Sequence, residues 1–198
     1  MSLDAYAALE AICTARHSAR EFLDRPVPGA LIEKILAIAR TSPFAGGSKS
    51  WEVLVVQEQD HIAQAARVVR SRVEDFHASI SPAFQQGFLE YARYFSAFES
   101  APVLLLPVFK VIPTLKLMLP EPPESIVRME SENFVKSISC VAMLILLAAQ
   151  SLGLASCYMT GPLIAEEEIG RLVNIKPGRR IGAVIPLGYA ADIQQSRK

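Results

Sequence analysis

The sequence carries no net charge, since 20 Lys and Arg balance 20 Asp and Glu over 198 residues. Without a surplus of either sign no long-range field draws the chain to nucleic acid or to an anionic membrane surface, so a charged ligand must be held by a local set of side chains. Cysteine is scarce and odd in number. Cys13, Cys140 and Cys157 fit unpaired thiols in a reducing compartment better than a disulfide framework, and a cytoplasmic location is the expectation. His17, His61 and His77 have no Cys or carboxylate at metal-ligand spacing, so no metal site is expected. There is no G-x-G-x-x-G, no G-x-x-x-x-G-K-[ST] and no G-x-S-x-G. These absences remove the dinucleotide and Walker phosphate loops and the hydrolase nucleophile elbow from consideration. No internal repeat, low-complexity run or Gly/Ser linker divides the chain, so a single domain over residues 1–198 is expected. The stretch Met1 to Ile12 has an early Asp and no basic start before an apolar core, so a secretory signal is not expected.

What the chain does have is apolar residues, 51% of the total with a positive mean hydropathy. That exceeds what a monomer of this size needs and points to a large subunit interface, most simply a homodimer. The stretch Ser137 to Gly161 holds no charged residue, and every position from Cys140 to Ala149 is apolar. A helix there is greasy all round, which predicts burial on every side. The run is nearly long enough to span a bilayer. Ser139, Gln150, Ser151 and Gly153 interrupt it, however, no Lys/Arg cluster or aromatic belt flanks it, and Glu130-Ser131-Glu132 reads as an acidic helix start. The central buried helix of a domain outside the membrane is the better reading.

Along the chain, Tyr6, Leu9, Ile12 and Cys13 recur at helical spacing between Asp4 and Arg16. Pro26 and Pro28 interrupt, and Pro28 suits the first position of a second helix with Leu31, Ile32, Ile35, Leu36 and Ala39 as its buried stripe. Phe44 to Ser50, FAGGSKS, is a loop. It opens into Trp51 to Gln57, which reads as a buried strand. Asp60 suits the cap of a third helix along Ile62, Ala65, Ala66, Val69 and Val73, and Ser81-Pro82 starts a fourth. On that fourth helix Phe84, Phe88, Tyr91 and Phe95 form an aromatic stripe, either core packing or the wall of a ligand channel. Ala101 to Phe109 is a second buried strand in which Pro107 favours a bulge or an edge. Pro113 to Pro123 is irregular, an excursion or lid. After the central helix come a short strand at Ser156 to Met159, a helix near Ala165 to Val173 and a strand from Ile181 to Tyr189. This mixed order fits an α+β fold around a small sheet rather than a doubly wound one.

Three features could hold a ligand. Arg16, Ser18 and Arg20 alternate, so in extended backbone all three point one way and set two guanidinium groups and a hydroxyl around a phosphate-sized anion; the alternative is an ordinary charged surface. The glycines of FAGGSKS allow backbone N–H groups to approach a flat ligand, unless the segment is only a solvent loop. Tyr158, Met159, Thr160 and Gly161 leave a strand at a Gly-Pro turn, which either aims backbone donors into a cavity or merely ends the strand.

Taken together and in order, these features resemble the nitroreductase family of FMN-dependent oxidoreductases. The resemblance runs through Arg16-His17-Ser18-Ala19-Arg20-Glu21-Phe22 with Pro26-Val27, Ser42-Pro43 before the strand led by Trp51, Ala101-Pro102 before an apolar strand, and the late Leu146 to Leu154 helix end. It implies a nitroreductase-like α+β fold, a small mixed or antiparallel sheet surrounded by helices with a central buried helix, and an obligate dimer. It implies that Arg16, Ser18 and Arg20 hold the FMN phosphate with His17 beside them, that Thr160 and Gly161, following Tyr158 and Met159, offer backbone donors to the flavin, and that Arg197 reaches the phosphate. The loop with Pro43, Phe44, Ala45, Gly47 and Lys49 would come to the flavin from the other subunit. Where the family has Asn, Gln and Pro, this chain has Gly47, Lys49 and Ser50, which removes side-chain hydrogen bonds to the flavin. The implied activity is transfer of hydride from NADH or NADPH through the flavin to a small nitroaromatic or quinone-like acceptor, with no catalytic side chain required; the alternative is a flavin-binding member of the same fold without turnover.

Overall fold

A computed structural model describes residues 4–45 and 50–191. The first helix, α1 (Ala5–Ala15), starts where the Asp4 carboxylate accepts the Tyr6 N–H at 3.1 Å. An extended segment then leads to α2 (Gly29–Ala39), with Pro28 at its N-cap rather than inside its first turn. Ile32, Ile35, Leu36 and Ala39 are buried as the spacing predicts.

Five strands form the sheet: β1 (Trp51–Val56), β2 (Val103–Lys110), β3 (Ala155–Ser156), β4 (Arg179–Ile181) and β5 (Ile185–Gly188). Their order is β1-β2-β5-β3, with β4 also paired to β2, and every strand pair is antiparallel. β2 is the middle of this arrangement. Val103, Leu105 and Phe109 point into one apolar cluster with α2 and the long helix α6 (Glu124–Ser151), while Leu104, Leu106 and Val108 point into another with α3 (Gln59–Ser79) and α7 (Glu166–Leu172). The period of two therefore buries both faces, as the unbroken apolar run of β2 requires. β1 behaves otherwise. It lies at the sheet edge with Glu52 and Val55 exposed, so the expectation of a buried strand is corrected to an edge strand.

Pro107 sits within β2, opposite Val53, and not on an edge. Its missing donor is tolerated because β4 and β5 separate at this level. The carbonyl of Pro107 accepts the Gly182 N–H at 2.8 Å between the two strands, and the nitrogen, on the same side of the strand, meets no ladder partner.

α6 is the longest helix described, with 28 residues. It begins at Glu124, so Glu130-Ser131-Glu132 is not a helix start. Phe134, Ile138, Val141, Ala142, Ile145, Leu146, Ala148 and Ala149 are buried, and side chains of this size contribute roughly 1.5–3 kcal/mol each on full burial when large and aliphatic. The helix ends in a Schellman turn: Gly153 takes φ +72° and the Leu154 N–H reaches the Ala149 carbonyl at 2.9 Å. Burial is not complete all round. Lys136, Cys140 and Met143 mark a face that the chain itself leaves open, Met143 being 49% exposed. By length and composition alone α6 could cross a membrane, yet its other faces pack on β2, α2 and α5 (Thr114–Met118).

Two other expectations change. Glu58, not Asp60, occupies the N-cap of α3. The aromatic stripe divides: on α4 (Pro82–Ala92) Phe84 and Tyr91 are 70% and 71% exposed, whereas Phe95, edge-on to Tyr91 at 5.1 Å, packs against the core cluster that contains Phe98. The segment Pro113 to Pro123 contains the single-turn helix α5, and its N-terminus explains the buried Glu130. The preceding Pro113 has no side chain able to cap, so the Glu130 carboxylate reaches across from α6 and accepts the Leu115 and Lys116 N–H groups at 2.6 and 3.0 Å. Glu130→Ala should therefore lower the free energy of unfolding by about 1–3 kcal/mol, since it orphans two donors. It should also accelerate tryptic cleavage at Lys116, and Glu130→Gln, which keeps an acceptor, should lose less; urea titration with limited proteolysis checks both.

Candidate functional site

The basic element follows α1 directly. Arg16, at the C-cap, has φ −66° and ψ 129°, and this change from helical to extended backbone lets the next residues alternate sides. Ser18 then forms a parallel bridge with Ser156 of β3, and the Ala19 N–H donates to the Ser156 carbonyl at 3.2 Å. Ala19 and Phe22 are buried while Arg16 and Ser18 are partly exposed and Arg20 is exposed, as an extended segment lying on a sheet edge requires. The expected alternation of Arg16, Ser18 and Arg20 is thus seen in the backbone.

Beside Ser18 lies Cys157, whose thiol reports the electrostatics of the site. Burial pushes its pKa up from the ordinary value, while Ser18, Arg20 and Arg16 act in the opposite direction by hydrogen bonding and positive charge. The two arginines and the serine therefore share one neighbourhood. No carboxylate among the described residues pairs with Arg16 or Arg20, whereas Arg70, Arg72 and Arg179 are all in ion pairs. His17 contacts the Ala15 carbonyl through Nδ1 at 3.2 Å, and its Nε2 is buried with no hydrogen-bond partner among the described residues. An unpaired cluster of cations with an orphaned ring nitrogen suits an anion.

From Ser156 the chain runs to the second part of the candidate site. Met159 pairs with Val184 through backbone hydrogen bonds of 3.1 and 2.9 Å in the two directions, and its side chain belongs to the core, so it anchors the turn and offers no free donor to a ligand. Tyr158 turns toward α6, with its hydroxyl 3.4 Å from the Ser139 Oγ. Thr160 and Gly161 are the N-cap and first residue of a 3-10 turn (Gly161–Ala165), a position whose N–H groups have no intrahelical acceptor. Gly161 has no room for a side chain, because a Cβ there would overlap the ring of Phe95. Five backbone steps lead from Ser156 to Gly161, so Ser156, which bridges to Ser18, and the Gly161 donor are at most roughly 17–18 Å apart along extended backbone.

The loop residues divide. Phe44 is turned into its own chain, stacked on Trp51 at 5.8 Å and edge-on to Phe134 at 6.0 Å. The Ala45 N–H donates to the Ser137 Oγ at 3.0 Å, which ties the start of the loop to α6, and Pro43 is exposed. Ser50 is buried, donates no hydrogen bond from its Oγ to any described residue, and gives its carbonyl to Lys110 N–H at 2.8 Å. Gly47, Lys49 and Arg197 lie outside the described residues.

Sequence reading missed Cys157 beside Ser18, Tyr94 against Arg20, and the closeness of Phe95 to Gly161. Phe95 stood in the aromatic stripe, so its size was visible. Its partner was not, because Gly161 lies 66 positions further along the chain. An open groove of about 830 Å³ between α7 and β4, lined by residues such as Glu167, Arg171 and Lys176, includes none of the expected site residues.

Comparison with known proteins agrees with the fold. The iodotyrosine deiodinase of Nematostella vectensis is 26% identical over 181 residues, covering 89% of this chain and 64% of that protein, so the chain spans under two thirds of that relative's length. A BluB-like flavoprotein from Clostridium difficile has the same fold, with a TM-score of 0.81 at 24% identity over 93% of this chain and 90% of that one. So has a nitroreductase with bound FMN from Desulfitobacterium hafniense, with a TM-score of 0.72 at 18% identity over 93% and 90% of the two chains. The model of the nitroreductase family matches residues 13–189, from the end of α1 through the whole sheet, with both the basic element and the Thr160-Gly161 turn inside the match; this chain belongs to the nitroreductase family.

Proposed function

We propose that the chain is a flavin-dependent oxidoreductase that uses FMN, draws hydride from NADH or NADPH, and reduces a small aromatic acceptor such as a nitroaromatic or quinone. The observation that carries this reading is the meeting of Arg16, Ser18 and Arg20 on β3, without carboxylate partners among the described residues, at the start of the backbone run that ends in the Thr160 and Gly161 donors. These residues fit FMN. Two cations and a hydroxyl suit its phosphate, with the orphaned His17 Nε2 beside them, and the paired N–H groups suit the polar edge of its ring. When bound, the flavin would supply the hydride chemistry, which is why no acid, base or nucleophile is demanded of the protein. The chain's own part is to bind the phosphate, orient the ring and hold hydrogen-bond donors at the ring's edge. The relatives support the cofactor class: one solved neighbour is described with FMN bound, and a curated relative is named for deiodinating iodotyrosine, so the acceptor panel should include a halogenated tyrosine. On this reading residues 1–198 act as one unit in the cytoplasm, with no role for nucleic acid or membrane.

The purified protein should be yellow, and NADPH or NADH should bleach its flavin absorbance anaerobically, with colour returning when a nitroaromatic is added. A yellow protein that neither donor bleaches overturns the enzyme reading in favour of a flavin carrier. Arg16→Ala should weaken FMN by roughly 1.5–3 kcal/mol, the range for a hydrogen bond to a charged group, and Arg16→Lys by less, because Lys keeps the charge but not the planar fork. Fluorescence titration of the apoproteins checks this, and equal affinities would remove Arg16 from the phosphate.

The site is also proposed to need two copies of the chain. Its support is the open face of α6 at Cys140 and Met143, flanked by α1, whose Tyr6 and Leu9 are 68% and 53% exposed although their spacing marks a buried stripe. Exposed apolar side chains grouped in this way are what an obligate dimer covers. Met143→Glu should shift the protein from dimer to monomer in sedimentation velocity and reduce bound FMN in parallel. A Met143→Glu protein that remains dimeric and fully loaded would place the interface elsewhere.

A further inference from the structure

A cation outside the basic element belongs with it. Arg20 is not free in solvent: its Cζ lies 4.5 Å from the centroid of the Tyr94 ring, and the Cζ of Arg93 lies 4.3 Å from the same centroid. Each guanidinium is attracted to the ring face or its surroundings by the ring's quadrupole. Two positive charges on one ring repel each other, however, and no carboxylate among the described residues pairs with Arg20 or Arg93. An anion placed between them would relieve that repulsion.

The same short segment reaches both parts of the candidate site. Directly after α4, Tyr94 lies against Arg20 and Phe95 lies against Gly161, with the Phe95 N–H bonded to the Ala92 carbonyl at 2.9 Å so that the turn is held. A residue that touches the phosphate element and is followed by one that touches the donor turn is well placed to hold the two in register.

We propose that Tyr94 is a positioning residue for the FMN phosphate, and that Arg93 is an additional ligand to it. The Tyr94 ring carries Arg20 and Arg93 side by side, so that with Arg16 three guanidinium groups serve one phosphate dianion. Ordering an arginine costs side-chain entropy at the moment of binding, and a ring that already holds two of them removes part of that cost beforehand. The proposal rests on the placement of the FMN phosphate at Arg16, Ser18 and Arg20 given above. Its charge requirement distinguishes phosphate-bearing flavin from riboflavin, which lacks the phosphate.

The experiment is titration of wild-type, Tyr94→Leu, Tyr94→Phe, Arg93→Gln and Arg16→Ala apoproteins with FMN and with riboflavin at low and high salt. Tyr94→Leu should lose roughly two- to fivefold in FMN affinity with riboflavin binding unchanged, a loss in the range of an exposed cation–π contact. Tyr94→Phe should bind as the wild type does, because it keeps the ring. Arg93→Gln should lose FMN affinity several-fold and show a shallower salt dependence, and it decides the matter if Tyr94→Leu does not fold. If Arg16→Ala loses the preference for FMN over riboflavin while Tyr94→Leu and Arg93→Gln keep it, this inference fails and the phosphate site stands. If Arg16→Ala also keeps the preference, the phosphate site itself is misplaced. Equal weakening of FMN and riboflavin in Tyr94→Leu would show a merely structural role and overturn the proposal.

Discussion

The structure depends on keeping β2 dry on both of its faces. Seven consecutive residues of that strand, Val103 to Phe109, are buried, so neither face can be left to solvent and helices must cover both. α6 and α2 close one side, α3 and α7 the other. Placing β2 in the middle also leaves Pro107 where a donor would normally be needed, and the split between β4 and β5 is the local solution. Everything at the site hangs on the far strands of this same sheet: β5 pairs with β3, and β3 carries the bridge to Ser18.

The site is thus a product of sheet order rather than of local sequence. Arg16, Ser18 and Arg20 acquire a common partner only because Ser156 and Cys157 are held at the edge by β5. The thiol of Cys157 shows how close this packing is, since burial and the neighbouring arginines act on its pKa in opposite directions, burial the more strongly. A structural role suits this cysteine, which stays protonated at neutral pH because burial disfavours its charged form.

The apolar excess and the exposed stripes are two views of one property. A single chain leaves Tyr6, Leu9 and Met143 in contact with solvent, and it leaves Phe84 and Tyr91 out beyond the 3-10 turn. The first group lies on or beside α6, as a subunit interface would require. The second continues from Phe95, which lies close to Gly161 and packs on the core, while Phe84 and Tyr91 beyond it stay in contact with solvent. Periodicity identified both stripes correctly as apolar. It left open what covers them, because periodicity records that a face avoids water and not which molecule covers it.

Sequence by itself determined the elements that rest on local chemistry: α2 and its buried stripe, the β2 run, the Leu-Gly-Leu stop of α6, the alternation of Arg16, Ser18 and Arg20, and through their order the family. Each follows from the spacing of side chains along a backbone of known period, a property of neighbours in the chain. Tertiary structure alone decided that β1 is an edge, that Glu130 caps α5 from another helix, that Tyr94 lies against Arg20 and that Phe95 fills the space a side chain at Gly161 would need. These contacts join residues far apart in the chain, and no local pattern records them. They are fixed by which strands pair and which helices cover them, a choice the chain makes by burying β2 and α6 as a whole.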